Sequence, residues 1–233
     1  VGDAPVTPMP PDPEPDPDPV PPAPTSDAQW AAQDGKVVMQ AEKGVPTNPD
    51  GDGYSNWNIS DALGGHTGDG YLHWDGPNLY NKPGSGALSY EFEVTERGTY
   101  KLGLLGSRPA NGEASDLNND FFVRMDGGPW KKVFFSGARE TWNWGKTFDV
   151  NHDKSSAGYD LEPGTHVFEV SGRSEDAYLD KIHLSLGSLD QNKSAAETLA
   201  ETPPVPDTPP EPDTPPEPDT PPEPDTPPVP DTP

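Results

Sequence analysis

Prolines divide this chain into three parts, and only one of them has the composition to build a core. Of 34 prolines, 11 fall in residues 1–25 and 16 in 203–233, leaving 7 for everything between. From Thr202 the tail repeats one hexapeptide, TPPVPD, TPPEPD, TPPEPD, TPPEPD, TPPVPD, and ends Thr232-Pro233. The N-terminal stretch PMPPDPEPDPDPVPPAP is of the same kind. Proline alternating with Asp, Glu and Thr has no apolar surface to bury, so both flanks read as disordered spacers. Polyproline II rises ~3.1 Å per residue, which gives a fully extended tail a reach of about 100 Å. The organisation expected is a linker over 1–25, one folded unit over 26–190 and a second linker over 191–233. The one weak helical period, QNKSAAETLA at 191–200, falls in that second linker.

The middle segment is long enough for one domain with a sizeable core. It carries 25 acidic and 14 basic residues of a chain whose net charge is −25. Acidity on this scale argues against a nucleic-acid partner, which needs clustered Lys and Arg, and against an anionic membrane surface. The chain has no cysteine, which excludes disulfides, thiolate catalysis and Cys-ligated zinc. No apolar run reaches membrane-spanning length. Secretion is expected from the spacers rather than from a signal peptide, and the domain is expected to be monomeric.

Period-two alternation dominates the middle. KVVMQAE (36–42), LSYEFEV (88–94), TYKLGLLG (99–106), DFFVRMDG (120–127), THVFEVSG (165–172) and AYLDKIHLSL (177–186) all read as strands. Shorter candidates are GYLHW (70–74), WKKVFF (130–135) and WGKTFDV (144–150). Turn signals separate them at Glu96-Arg97-Gly98, Asp126-Gly127-Gly128 and Glu162-Pro163-Gly164. About nine short strands with turns every 8–15 residues predict an all-β antiparallel sandwich. The stretch 43–69 reads as one long non-strand loop, of the length that usually has a function.

Strung together, these segments resemble a family. A strand ending Gln40-Ala41-Glu42 opens the domain, followed by GDGYLHWDG (68–76), LSYEFEVTERGTYKLGLL (88–105), NNDFFVRMDGGPWKK (118–132), TWNWGKTFDV (141–150) and LEPGTHVFEVSGRSEDAYLDKIHLS (161–185). This order resembles carbohydrate-binding modules of the family 6 and family 35 type, which are galactose-binding-like jelly rolls. The resemblance covers nearly all of 36–186. It implies a non-catalytic module tethered to a polysaccharide-degrading enzyme, with a sugar site among the loops at one end of the sandwich.

Sugar sites combine an aromatic face for the pyranose ring with planar polar groups for its hydroxyls. Trp142 and Trp144, two apart in an extended segment, present both indoles on one side, and Trp142 is the first choice for a platform. Both could equally be core. Arg173 offers a fork of donors, or pairs on the surface with Glu175 or Asp176. Asn118, Asn119 and Asp120 supply polar groups or simply turn a loop, and Arg108 is placed in the same cluster. The resemblance puts a sugar-binding Asn where Tyr178 stands, so either Tyr178 stacks on the sugar or the site lies elsewhere.

The resemblance also implies a structural Ca²⁺ between the opening and closing strands, on Glu42 and Asp180. The alternative is an edge salt bridge from each to Lys43 or Lys181. A second calcium candidate is the loop Asn48, Asp50, Asp52 and Asn56, which has the front half of an EF-hand pattern without the final Glu. Histidines 66, 73, 152, 166 and 183 are scattered and read as surface or strand residues.

The leading expectation is a secreted, non-catalytic module that binds a polysaccharide or oligosaccharide, such as an agarose-like algal galactan, and anchors covalently linked catalytic domains. A calcium-rigidified module of a bacterial adhesin is the alternative. No nucleophile elbow and no paired acid/base carboxylates are readable, so catalysis is not expected.

Overall fold

The structure, a computed structural model, describes residues 28–48, 56–110 and 117–187. The repeats, the 191–200 segment and positions 50 and 52 of the EF-hand-like loop lie outside the described residues.

Among the described residues fifteen strands form where alternation predicts nine, because several are too short to show a period. They are β1 (Trp30–Ala31), β2 (Lys36–Gln40), β3 (Val45–Pro46), β4 (Trp57–Ser60), β5 (Tyr71–Trp74), β6 (Leu88–Val94), β7 (Gly98–Ser107), β8 (Asp120–Met125), β9 (Lys131–Phe134), β10 (Asn143–Gly145), β11 (Thr147–Val150), β12 (Asp153–Ser156), β13 (Gly158–Leu161), β14 (Gly164–Ser171) and β15 (Ala177–Leu186). A 3₁₀ turn, Ala41–Lys43, follows β2. Among the described residues no helix is long and apolar enough to cross a membrane.

The first sheet runs β1-β6-β14-β8-β9-β11-β12, with β3 also on β6. The second runs β10-β7-β15-β5-β4, with β13 also on β7 and β2 on β15. Among the described residues only β1 pairs in parallel. Stacked face to face, the sheets bury one alternating phase of strands such as β6, while β15 at the centre of the second sheet is buried along nearly its whole length. Trp74, Tyr90, Phe92, Tyr100, Phe121, Phe135, Phe168 and Leu179 are among the side chains wholly removed from solvent. Gly172, at the end of β14, is needed for this packing: a Cβ there would sit 2.2 Å from the Trp74 ring.

Two expectations change. The stretch 43–69 is not strandless, since β3 pairs with β6 and β4 with β5. The run 144–150 is not one strand. It breaks at Lys146, leaving β10 in the second sheet and β11 in the first.

Candidate functional site

Both tryptophans pack against one patch, as their spacing requires, yet Trp142 is not the open platform expected of it. Its ring is 5% exposed. It lies edge-on to Tyr71 at 5.3 Å, and its indole nitrogen donates to the Gly64 carbonyl at 3.0 Å. Leu63, Trp144 and Tyr178 close around it. The segment at Gly64 covers the indole, so the packing role read as the alternative for Trp142 is the one it has. Trp144 is half-buried on β10 beside His183. Tyr178 is held between Tyr71 and His73, each at 4.9 Å, and burial with nearby Tyr71 and Asp176 pushes its phenol up to about 12.

The other predicted residues separate into two groups. Arg108 is buried and donates to the Gly137 carbonyl, while burial and the neighbouring Arg139 hold its guanidinium below the usual value. Asn118 takes a left-handed φ of 60°, donates to the Glu175 carbonyl at 2.6 Å and accepts from Arg139 at 3.3 Å. Asn119 is buried and donates to the Phe135 carbonyl at 3.2 Å. Arg108, Asn118 and Asn119 thus fasten loops to strands. Arg108 does not join Arg173, as the sequence suggested. Arg173 pairs with neither Glu175 nor Asp176 but with Asp120 Oδ2, while Ser174 Oγ donates to Asp120 Oδ1. Asp120 is 5% exposed, and Arg173 Nε is buried with no hydrogen-bond partner among the described residues.

That ion pair stands at the side of a groove on the outer face of the first sheet. Cross-strand register puts Phe122, Lys132, Asp149 and Lys154 in one row across β8, β9, β11 and β12. Lys132 bridges to Asp149 at 2.8 Å and holds its carboxyl below the usual range. Tyr80, 49% exposed, and Trp130 flank the row, with His152 at its far side. The Arg173 guanidinium lies over both the Tyr80 and Phe122 rings, at 5.1 and 5.4 Å. Two adjoining depressions result, of about 270 and 510 Å³, sharing Tyr80, Lys132, Asp149, His152 and Arg173. Open, shallow and lined by rings alternating with charged donors and acceptors, the groove has the chemistry that sugar recognition requires. Sequence reasoning found Arg173 and Asp120 but missed Tyr80, Trp130 and Lys132. The doublets Phe121-Phe122 and Phe134-Phe135 were the available signal, because neighbours on a strand face opposite ways and one ring of each pair must point outward.

A different chemistry appears where β2 and β5 meet along β15. The β15 ladder to β7 shifts register between Leu179 and Lys181, a bulge at Asp180 that buries its side chain completely. Thr67 N donates to Asp180 Oδ1 at 3.0 Å, and Asp69 N donates to Glu42 Oε1 at 3.2 Å. Glu42 Oε2 is buried with no partner among the described residues. Gly68, at a φ of 65°, permits the approach, for a Cβ there would stand 2.5 Å from Glu42 Oε1. Burial raises both carboxyls above their usual range, and each is further affected by its surroundings: the charge of Asp180 adds to the rise at Glu42, while Thr67, Lys181 and His66 oppose it at Asp180. Lys43 bridges to Asp69 rather than to Glu42. Two desolvated carboxylates with an orphan oxygen fit a hard cation. Of the EF-hand-like set, Asn48 and Asn56 are described. Asn48 is exposed, and the Asn56 carbonyl accepts from Asp75 N at 2.8 Å.

Comparison with known proteins gives a family and a set of similar folds. A comparison with curated protein sequences gives no match. Among solved structures, similar chains include a beta-(1,4)-mannanase of Podospora anserina that carries a family 35 carbohydrate-binding module (16% identity, TM-score 0.45), of which the match covers 69% of this chain and 29% of that one. A family 35 module from Clostridium thermocellum is 16% identical (TM-score 0.41; 64% of this chain, 96% of that one). One from Cellvibrio japonicus is 18% identical (TM-score 0.41; 66% and 94%). The model of the glycosyl hydrolase family 115 C-terminal domain matches residues 29–196, more than half of the chain. The chain therefore belongs to the family of glycosyl hydrolase family 115 C-terminal domains.

Proposed function

We propose that this domain is a non-catalytic carbohydrate-binding module that seats a polysaccharide in the groove between Tyr80 and Trp130, and that it acts beside a polysaccharide-degrading domain outside the cell. One observation carries the reading: the exposed Tyr80 ring and the half-buried Trp130 ring flank a row of fixed polar groups on an otherwise ordinary sheet face. Membership in a family named for a glycosyl hydrolase supports it. Tyr80 and Trp130 supply the stacking faces. Lys132, Asp149 and Arg173, already held by partners, donate and accept to ring hydroxyls with little further ordering. A calcium ion on Glu42 and Asp180 would lock the closing strand to the turn after β2, a structural rather than a sugar-contacting role.

Affinity electrophoresis through gels of plant and algal polysaccharides, agarose included, tests the proposal. Retardation is expected on at least one glycan. Tyr80→Ala and Trp130→Ala are each expected to weaken it roughly tenfold, the scale of one lost stacking contact of about 1–1.5 kcal/mol. Retardation on none, or retardation untouched by both variants, would sink it. Trp142→Ala is expected to lower the melting temperature instead.

A further inference from the structure

On the outer side of β5 three metal-ligating side chains, none of which lines the groove, converge. His73 and Asp75 are two apart, with Trp74 between them wholly buried. The alternation of an extended chain therefore sends the His73 and Asp75 side chains outward together. Asp176 comes from the turn before β15. Its backbone N–H donates to the Trp74 carbonyl at 2.9 Å, which docks it against the same strand. One ligand atom from each of the three lies within 4.8 Å of the others.

We propose that His73, Asp75 and Asp176 form a binding site for a divalent transition-metal ion of the zinc class. An imidazole nitrogen with two carboxylates suits zinc, cobalt or manganese, whereas calcium prefers an all-oxygen shell of six to eight ligands. The sheet supplies the geometry before any ion arrives. His73 Nε2 and Asp176 Oδ1 are 2.9 Å apart, within hydrogen-bond distance, and a metal would stand between them instead. Ligand atoms around a tetrahedral ion with bonds of about 2.0–2.1 Å stand roughly 3.3 Å apart, so closing the set takes side-chain adjustment only.

Outer contacts hold each ligand. Asn58, directly across from His73 in the β4–β5 ladder, donates to Asp75 Oδ2 at 3.5 Å. The Tyr178 ring meets His73 edge-on at 4.9 Å and fixes its plane. Glu175 and Asn78 bond reciprocally, Glu175 N to Asn78 Oδ1 at 3.1 Å and Asn78 Nδ2 to Glu175 Oε2 at 3.3 Å, which pins the turn that carries Asp176. Three protein ligands leave the remaining positions open to water. The site is separate from Glu42 and Asp180 in both ligand type and residues.

Calorimetric titration of Zn²⁺ into the full, untagged chain, with excess Ca²⁺ present to occupy oxygen-only sites, tests the assignment. One equivalent is expected to bind, with affinity reduced at least about tenfold by His73→Ala and by Asp75→Asn. Asp75 is exposed, so Asp75→Asn is expected to leave the metal-free melting temperature unchanged and to report on binding alone. Cobalt in place of zinc is expected to give visible absorption bands in the wild type that are lost with His73→Ala. Absence of zinc binding, or binding that both variants leave intact, overturns the site.

Discussion

Asp120→Ala is expected to lower the unfolding free energy by roughly 3–5 kcal/mol and to eliminate glycan binding with it, the cost typical of removing one partner from a buried ion pair. The carboxylate accepts from Arg173 and from the Ser174 hydroxyl, and both charged side chains are largely withdrawn from water, at 13% and 7% exposure. Without it, a guanidinium that already has an unpartnered Nε loses its counter-charge. Arg173 then leaves its position over Tyr80 and Phe122, and the groove loses its side. Combining Asp120→Ala with Arg173→Met removes both charges and is expected to recover part of the stability but none of the binding. Thermal melts and affinity gels run on the two variants separate these effects. A single variant that melts within about a degree of the wild type would show that the pair does not hold the groove.

If calcium occupies the site proposed at Glu42 and Asp180, its removal is expected to act on a similar scale. An ion bound only by the native state stabilises it by about 4 kcal/mol at a thousandfold excess over its dissociation constant, or roughly 10 °C in a domain of this size. The pH dependence gives a second readout with a definite sign. Burial raises the Glu42 and Asp180 carboxyls, so the metal-free native chain keeps protons that the unfolded chain releases. Their contribution to stability is therefore full below the ordinary carboxylate range and is lost as pH rises through the raised native values. Bound calcium requires both groups ionised and reverses that slope. Melting curves across this range, with calcium and with chelator, are expected to diverge as pH rises. Asp180→Asn is expected to bring them together, and curves that coincide in the wild type would refute the calcium assignment.

Strand phase was legible in the sequence because burial imposes it directly. LSYEFEV reads apolar at every second residue, and Leu88, Tyr90, Phe92 and Val94 are the ones inside. What alternation does not encode is a short strand or a change of sheet. Trp57–Ser60 has one inward ring and two exposed neighbours, too little for a pattern, and the break at Lys146 depends on partners elsewhere in the chain. The candidate site was half legible for a similar reason. Arg173 and Asp120 are conspicuous as charges, but their pairing joins residues 53 apart in sequence. Trp142 looked like a platform because exposure cannot be read from residue type, and the glycines that cover it carry no ring or charge to attract notice. Asp180 was found through a family resemblance, whereas the bulge that turns it inward is a property of three strands together.

The aromatic doublets also bear on how the chain finds its register. In most strands a slip of one residue exchanges an apolar face for a polar one and is rejected on hydrophobicity alone. Across β8 and β9 the slip would bring Phe122 and Phe134 inward in place of Phe121 and Phe135, one ring for another. At the ring positions alone the two alignments look alike, although Val123, Met125 and Val133 would be turned outward. The charges add to the penalty, because the same slip would drive Arg124 and Lys132 between the sheets, pull Lys132 away from Asp149 and separate Asp120 from Arg173. The ions around the groove thus also act as a proofreading device for strand pairing, and neutral replacements there are expected to cost fidelity of folding as well as affinity for sugar.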